Sequence, residues 1–194
     1  CLIHHLRRKR RWRHSRKDVH KKRGQIKDAV SISERPKDVE DRKAPGHWEG
    51  DLIMGSQNSY IATVVERQTR FTVLVQVNGK DTESVVSSLS KQMSNLPELL
   101  KQSLTWDRGT EMASHKIFSL ATGMDVYFCD PSSPWQRGTN ENTNGLLRQY
   151  FPKKSCLSGF SQSDLNNVAA KLNNRPRKTL GFLTPAVKLD EVLQ

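Results

Sequence analysis

The sequence predicts an α/β domain with layered strands and helices, and two observations carry this prediction. Apolar residues alternate along Phe71–Val77, with only Leu74 out of phase, as in a strand that has one buried face. Within Asp81–Leu96 apolar residues recur at helical spacing instead. Runs of these two kinds follow one another along the chain, and that order is typical of the α/β class.

Three strands open the predicted domain. His47–Met54 is a short mixed segment that can form a strand, and Gly55–Ser59 is a turn. Tyr60–Glu66 is rich in β-formers, and Arg67–Arg70 is a polar turn into the alternating strand. The short turns predict an antiparallel meander. Two further short strands are predicted at Leu104–Trp106 and Asp125–Cys129.

Four helices are predicted from apolar repeats and from residues that start or stop a helix. Asp81 or Thr82 can cap the first helix, Gly123 ends the second, and Pro152 stops the third. The predicted spans are Asp81–Leu96, Met112–Ala121, Asn140–Tyr150 and Ser163–Asn173. The strand–helix–strand units should be parallel and right-handed, with ligands at the carboxyl ends of the strands.

Charge divides the chain into two parts. The formal balance is +12, and residues 1–43 hold 16 basic and 6 acidic residues, a net of +10. Pro45-Gly46 marks a boundary, so we predict a basic arm at 1–43 and a core at 44–194. The arm indicates a polyanionic partner, DNA or RNA. Its candidate contacts are Arg10, Arg11, Trp12 and Arg13, in which the indole offers a stacking surface. A solvated arm is the plainer alternative.

Composition excludes several classes of protein. No apolar run is long enough to cross a membrane, and charge interrupts the N-terminus too early for a signal peptide. Cys1, Cys129 and Cys156 are an odd count at wide spacing, which favours a reducing compartment such as the cytoplasm. The chain starts without Met, so we expect it to be a fragment of a longer protein.

Three acidic residues stand where a metal site would be built. Asp51 lies in the first predicted strand, Asp107 directly follows Leu104–Trp106, and Glu141 lies near the start of a helix. Mg²⁺ prefers oxygen ligands, and paired ions can activate water and stabilise a leaving oxygen at a phosphodiester. We expect Asp51 to bridge two ions and the other two carboxylates to hold one each. Taken singly, each residue could equally be a turn former, a cap or a surface charge.

Long motifs surround these residues. They are HWEGDLI at His47–Ile53, TWDRGTE at Thr105–Glu111, SPWQRGTNENTNGLLRQYFP at Ser133–Pro152 and RPRKTLGFLTP at Arg175–Pro185. Together they resemble the catalytic core of DDE transposases, and most closely the bacterial insertion-sequence transposases of the IS-thirty family. The 33 residues between Asp107 and Glu141 match that family's spacing. The resemblance runs from about Ile32 to Leu193.

The resemblance implies a ribonuclease-H-like fold of the retroviral integrase type, with a mixed five-stranded sheet flanked by helices. It implies Mg²⁺-dependent cleavage at transposon ends, with Mn²⁺ as a substitute, followed by attack of the freed 3′-hydroxyl on target DNA. Asp51, Asp107 and Glu141 would be the catalytic and metal-binding residues. It further implies a homodimer or higher assembly on DNA, at the bacterial nucleoid. The helix-turn-helix region that reads transposon ends is missing from this chain.

Several residues near the three carboxylates are candidate DNA contacts, each with a plainer alternative. Asn140 and Asn144 share a helix face beside Glu141, although helix capping would also explain them. Trp135 could stack on a base or pack in the core. The remaining candidates, which could also be ordinary surface residues, are Arg108, Gln136, Arg137, Arg148, Arg175, Arg177 and Lys178. Glu111 and His115 could face the metals, and we expect Trp48 and Trp106 in the core.

Three other functions remain open at this stage. A nuclease of the same fold would cut without joining, and only the long motifs favour transposition over it. A basic DNA-binding module with an inactive core would not need Asp51, Asp107 and Glu141 intact. An RNA-binding protein that uses the basic arm leaves the acidic motifs unexplained.

Overall fold

The computed structural model describes residues 26–194, and within this range the five predicted strands form one mixed sheet. The strands are β1 (His47–Met54), β2 (Tyr60–Glu66), β3 (Thr72–Val77), β4 (Ser103–Trp106) and β5 (Asp125–Phe128). Their order is β3-β2-β1-β4-β5. The first three pair antiparallel, as the meander predicted, whereas β4 and β5 continue from β1 in parallel. The predicted α/β class and the mixed five-stranded sheet are confirmed.

Five α-helices flank this sheet. They are α1 (Thr82–Met93), α2 (His115–Thr122), α3 (Gly138–Leu147), α4 (Gln162–Asn173) and α5 (Pro185–Leu193). The first four lie within a few residues of their predicted spans. Asp81 caps α1 by accepting from the Ser84 amide, and Gly123 ends α2 at a φ of 74°. We did not predict α5, which Thr184 caps and Pro185 begins. Among the helices of residues 26–194, none combines the length and apolarity needed to cross a bilayer.

The sheet separates two apolar clusters. Trp48 and Leu104 pack on one face with α1 and α2, and Ile53 packs on the other face with α3 and α4. Neighbouring residues of a strand point to opposite faces, so Glu49 and Asp51 share the face of Ile53. This alternation directs the acidic residues of β1 towards α3.

Residues 26–43 pack on the sheet beside β5, although the sequence placed them in the basic arm. The Phe128 amide donates to the Val30 carbonyl at 2.9 Å, and Ser31 forms a parallel bridge with Phe128. Ile32 and Val39 are buried. The division at residue 43 stays a prediction. Arg10, Arg11, Trp12 and Arg13 lie outside the described residues.

Candidate active site

Asp51 and Asp107 are brought together by the parallel pairing of β1 with β4. That register pairs His47 with Ser103 and Glu49 with Thr105. Asp51 and Asp107 each follow that last pair by two residues, so the same register brings them to neighbouring positions where β4 ends. The two carboxylates therefore lie on the same sheet face, where the parallel strands end.

Arg137 lies between these two carboxylates. Its Nη1 is 3.4 Å from Oδ1 of Asp51, and its Nη2 is 3.4 Å from Oδ2 of Asp107. Nη1 also donates to the Gly50 carbonyl at 2.6 Å. The side chain is buried, and it enters from the 3₁₀ turn Pro134–Arg137 that leads into α3. The predicted DNA contact at Arg137 is thus occupied by protein carboxylates, and the guanidinium acts as their shared counter-ion.

The electrostatics of this trio follow from burial and mutual charge. Burial raises the pKa of Asp51, and Asp107 adds to the rise while Arg137 opposes it. Burial alone would lower the pKa of Arg137, but the charges of Asp51 and Asp107 raise it overall. The guanidinium is therefore firmly charged, and the fold disfavours the charge on Asp51 despite this partner.

Each aspartate is also oriented by a hydrogen bond from its surroundings. The amide of Asn144 donates to Oδ2 of Asp51 at 3.1 Å, and the Leu52 backbone donates to Oδ1 at 2.9 Å. Asp107 Oδ1 accepts from the Gly109 backbone at 2.8 Å. Asn144, predicted to contact DNA or to hold the carboxylate of Glu141, thus holds Asp51 instead.

Gly50 is required by the packing of Trp106 across β1. A Cβ at residue 50 would lie 2.2 Å from the indole ring, far inside van der Waals contact. Trp106 and Trp48 are fully buried, which confirms their predicted core positions. The indole therefore packs against β1 at Gly50, on the sheet face opposite to Asp51.

The helix that carries Glu141 is anchored to β1 by Glu49. Oε2 of this buried carboxylate accepts from the backbone amides of Thr139 at 2.8 Å and Asn140 at 3.0 Å. The Asn140 side chain donates in turn to the carbonyls of Glu49 and Thr63, at 2.7 and 3.0 Å. Because Asn140 is fully buried, it holds α3 in place rather than facing a ligand. A carboxylate at a helix N-terminus also complements the helix dipole.

Contacts along α3 show that it follows β1 in the same direction. Asn140 meets Glu49, Asn144 meets Asp51, and Arg148 donates to the Met54 carbonyl at 3.3 Å. Glu141 lies in the first turn, between the levels of the two asparagines. Its side chain is exposed and makes no hydrogen bond or ion pair with a described residue.

The donor chemistry of the aspartate pair fits a divalent cation. Carboxylate oxygens are the ligands that Mg²⁺ prefers. The two aspartates already hold one positive group between them, the guanidinium of Arg137. Over residues 26–194, however, no three side chains of the His, Cys, Asp and Glu types are close enough to hold an ion. The convergence of Glu141 on the pair stays a prediction.

Glu111 is a further acidic group at this end of β4. Its Oε1 accepts from the Trp106 indole at 3.1 Å, and the carboxylate lies against Gly109. Burial raises the pKa of Glu111, and the charges of Asp107 and Asp51 raise it further. His115, weighed with Glu111 as a metal-facing residue, is buried against Phe128 at a ring distance of 5.1 Å.

Other predicted contacts are divided between the site and a distant surface. Trp135 is 68% exposed, which leaves its indole free of the core, and Arg108 is exposed beyond Asp107. Gln136 is tied to Asp130 through two hydrogen bonds. Arg148 is half-buried at the end of β1. The three remaining basic residues do not lie at the aspartates. They follow α4, which packs on β3 at the other edge of the sheet, and they are Arg175, Arg177 and Lys178.

Comparison with known proteins identifies the domain. The integrase core domain family matches residues 41–134, a range that contains Asp51 and Asp107 and ends before Glu141. The chain is 55% identical to the transposase InsI for insertion sequence element IS30A of Escherichia coli (strain K12). That match covers 186 residues, which are 94% of the chain and 49% of the relative.

Two other relatives come from different bacteria. The chain is 50% identical to the transposase for insertion sequence element IS1086 of Cupriavidus metallidurans, over 99% of the chain and 57% of that protein. It is 36% identical to the transposase for insertion sequence element IS4351 of Bacteroides fragilis, over 99% of the chain and 59% of that protein. The chain spans about half the length of the relatives it matches.

The mixed sheet with two adjacent aspartates and the domain match define an integrase core protein. Identities of 55% and 50% over nearly the whole chain support a DDE transposase of the IS30 family, as its motifs indicated.

Proposed function

We propose that the chain is the catalytic part of a transposase that cleaves DNA at transposon ends and joins the freed ends to target DNA. The observation that carries this proposal is the adjacency of Asp51 and Asp107 around a single positive group in an integrase core. A site that binds a cation between two carboxylates, one on β1 and one directly after β4, can stabilise the negative charge that develops during phosphoryl transfer.

The metal in this proposal is divalent, with Mg²⁺ as the physiological ion and Mn²⁺ as a substitute. Asp51, Asp107 and Glu141 would hold it, supported by the hard-oxygen chemistry of the three side chains. When bound, such ions lower the pKa of a nucleophilic water or hydroxyl and stabilise the leaving oxygen. Glu141 would reach the pair from the exposed first turn of α3.

The chain's own side chains prepare this site. Asn144 fixes one oxygen of Asp51 through the 3.1 Å hydrogen bond. Arg137 offsets part of the negative charge of the two aspartates before a cation binds. Glu49 fixes the start of α3 and hence the position of Glu141. Preorganisation of this kind removes reorganisation at the moment of reaction.

The two proposed reactions share one chemistry. In cleavage, water attacks phosphorus and the bond to the 3′ oxygen breaks, leaving a 3′-hydroxyl and a 5′-phosphate. In joining, that 3′-hydroxyl attacks a target phosphodiester, so one P–O bond forms and another breaks. In both steps the nucleophile loses a proton and the leaving 3′ oxygen gains one. Phosphodiester bonds are conserved in joining, and no other energy source is required.

The proposed partner is DNA, both transposon ends and target, with a homodimer or higher assembly holding two ends together. We assign the basic arm of residues 1–43 to contact with the DNA backbone, apart from the side chains of 26–43 that are buried against the core, and residues 44–194 to the catalytic core. The excess of positive charge supports this assignment, and such binding should weaken steeply with salt. The exposed residues of the core that suit DNA contact are Arg108, Trp135, Arg175 and Lys178.

A strand-transfer assay tests the proposal. The chain is incubated with Mg²⁺ or Mn²⁺, a supercoiled plasmid and a pre-cut duplex that carries the terminal repeats of its own element. We expect joined products from the unmodified chain and from Asp190→Asn, a matched change at an exposed aspartate of α5. Asp107→Asn should give none, and joining by that variant would contradict the proposed site. Cutting without joining by the unmodified chain would support the nuclease alternative.

A further inference from the structure

A cavity of about 300 Å³ lies next to the aspartate pair and is not used by the proposed chemistry. Three arginines and one exposed indole dominate its lining, and two carboxylates complete its charged groups. These residues are Arg35, Arg42, Arg67, Trp135, Glu40 and Asp130. The volume is at the lower end of the range for small-molecule sites, about 300–1,000 Å³.

Two of the arginines are held by residues that precede the catalytic aspartates. Arg67 Nε lies 3.5 Å from Oε1 of Glu49, and Arg35 Nη1 donates to Oγ1 of Thr105 at 3.0 Å. Glu49 is two residues before Asp51, and Thr105 is two residues before Asp107. Residues two apart share a sheet face at about 7 Å, so the cavity adjoins the aspartates on their own face.

The hydrogen-bonding groups of one arginine in this cavity are incompletely matched, although Glu40, Asp130 and Glu49 balance the three arginines in charge. Arg67 is 6% exposed, and its Nε and Nη1 have no hydrogen-bond partner among the described residues. Burial lowers the pKa of Arg35 to about 10, and the charge of Arg67 contributes to that fall. Burial and these two arginines also lower the pKa of His47 to about 4. The charges of Glu49 and Glu40 oppose the fall at Arg35, so the unpaired N–H groups of Arg67 are the feature that favours an anion here.

The indole at the rim provides a second kind of contact. Trp135 is 68% exposed, which is unusual for the largest apolar side chain. Its turn is fixed, because the Gln136 side chain bonds both the backbone and the carboxylate of Asp130, at 2.8 and 2.9 Å. A rigid, exposed indole above an arginine-lined cavity can stack on a flat ring.

We propose that this cavity binds one unpaired nucleotide of the DNA strand, with its phosphate at Arg42 and Arg67 and its base on Trp135. The proposal rests on the proposed function, because the nucleotide flanks the phosphodiester held at Asp51 and Asp107. An unpaired base is required, since a cavity of this size admits one ring and a duplex leaves no base face free to stack.

Binding to two DNA shapes tests this assignment without any chemistry. A fluorescently labelled duplex with a short unpaired flank is compared with a blunt duplex of the same length, by anisotropy, in EDTA. We expect the unmodified chain to prefer the forked DNA by about tenfold, the scale of one base stacked on an aromatic ring. Trp135→Ala and Arg42→Ala should each remove most of that preference.

Matched variants and a modified probe separate the two contacts. Phe182→Ala removes an equally exposed aromatic ring from the loop between α4 and α5, and Lys91→Ala removes a charge on α1. Both should keep the preference. When the unpaired flank carries an abasic residue, no base remains to stack, so Trp135→Ala should no longer weaken binding. Arg42→Ala should still weaken binding, because the phosphate remains. A free deoxynucleoside monophosphate that competes as well as the forked DNA would assign the cavity to free nucleotides instead.

Equal binding of forked and blunt DNA by the unmodified chain would overturn the assignment. So would a Trp135→Ala variant that weakens both DNAs by the same factor, because that result describes a general DNA contact. The outcome is distinguishable from failure of the transposase proposal. If the chain performs strand transfer but does not prefer forked DNA, only the nucleotide assignment of the cavity is contradicted. If it prefers forked DNA but performs no strand transfer, only the proposed transposase reaction is contradicted.

Discussion

Asp51 in β1 and Asp107, the first residue after β4, lie close together around the guanidinium of Arg137, each two residues beyond the parallel pair Glu49 and Thr105. Two carboxylates at this separation repel each other, and burial adds to the cost of charging Asp51. Arg137 offsets part of this cost from between them. The fold therefore maintains a pair of charges that does not favour its own stability, which is typical of residues kept for function.

Replacing Asp51 by Asn should stabilise the metal-free protein at neutral pH, by about 1 kcal/mol. The folded-state pKa of Asp51 is raised, so its charged form is disfavoured above that pKa and the penalty is lost as pH falls through it. The advantage of Asp51→Asn should therefore shrink in acid. Urea unfolding between pH 7 and pH 4 in EDTA measures this. A variant less stable than the unmodified chain at pH 7 would show that Asp51 has a net stabilising role.

Replacing Arg137 by Met should destabilise the metal-free protein, because it leaves two aspartates without their shared counter-ion. The loss should stay below about 3–5 kcal/mol, the cost typical of breaking a fully buried pair, since the Asp107 side chain is 39% exposed. Added Mn²⁺ should recover more stability in this variant than in the unmodified chain, since the ion no longer competes with the guanidinium. Thermal unfolding with and without Mn²⁺ provides the comparison. Arg108→Met, which removes an exposed arginine nearby, is the control and should respond to Mn²⁺ like the unmodified chain. If Mn²⁺ stabilises the Arg137→Met variant no more than the unmodified chain, the proposed competition between the ion and the guanidinium is contradicted.

Local sequence patterns predicted most of the fold because periodicity and caps act within one element. The alternating strand, the Asp81 cap and the Gly123 stop all identified their elements. Helix α5 was missed, even though Thr184 and Pro185 form a recognisable start and Ala186, Leu189 and Leu193 recur at helical spacing. It spans only 9 residues, and so short an apolar repeat gives a weaker signal than the 12-residue helices α1 and α4.

The candidate site was only partly predictable, because its contacts join distant residues. Motif context pointed to Asp51 and Asp107, but the register that makes them neighbours is a property of the sheet. Arg137 and Asn140 were assigned to DNA as polar residues of a conspicuous loop and helix, and their protein partners lie on β1 and β2. Glu49, Arg35 and Arg67 were not singled out, since a buried charge is indistinguishable from a surface charge in the sequence.

Replacing Gly50 by Ala should destabilise the protein by about 1–3 kcal/mol or more, as overpacking of a filled core does. The new Cβ would lie 2.2 Å from the Trp106 ring, and either the indole or β1 must shift. Gly159→Ala is a matched control, because a Cβ there meets nothing within 4 Å. Chemical denaturation measures both variants. The double variant Gly50→Ala with Trp106→Phe should recover part of the loss, and strictly additive effects would contradict the proposed clash.

Glu49 offers the most direct test of how α3 is positioned. Its carboxylate accepts from the amides of Thr139 and Asn140 and pairs with Arg67 at 3.5 Å. Glu49→Gln can retain an acceptor for the amides, but it removes the charge that compensates Arg67. Breaking a buried pair from one side costs about 3–5 kcal/mol. We therefore expect loss of stability together with local loosening of the first turn of α3.

Amide hydrogen exchange in the Glu49→Gln variant separates these two effects. Exchange should accelerate in α3 more than in α4, because α4 has its own capping box of Ser161 and Asp164. Glu83→Gln, at an exposed position in the first turn of α1, is the matched control and should leave α3 unchanged. Equal acceleration in both helices would mean that Glu49 contributes only to global stability. Acceleration confined to α3 would mean that Glu49, two residues before Asp51, sets the position from which Glu141 approaches the aspartate pair.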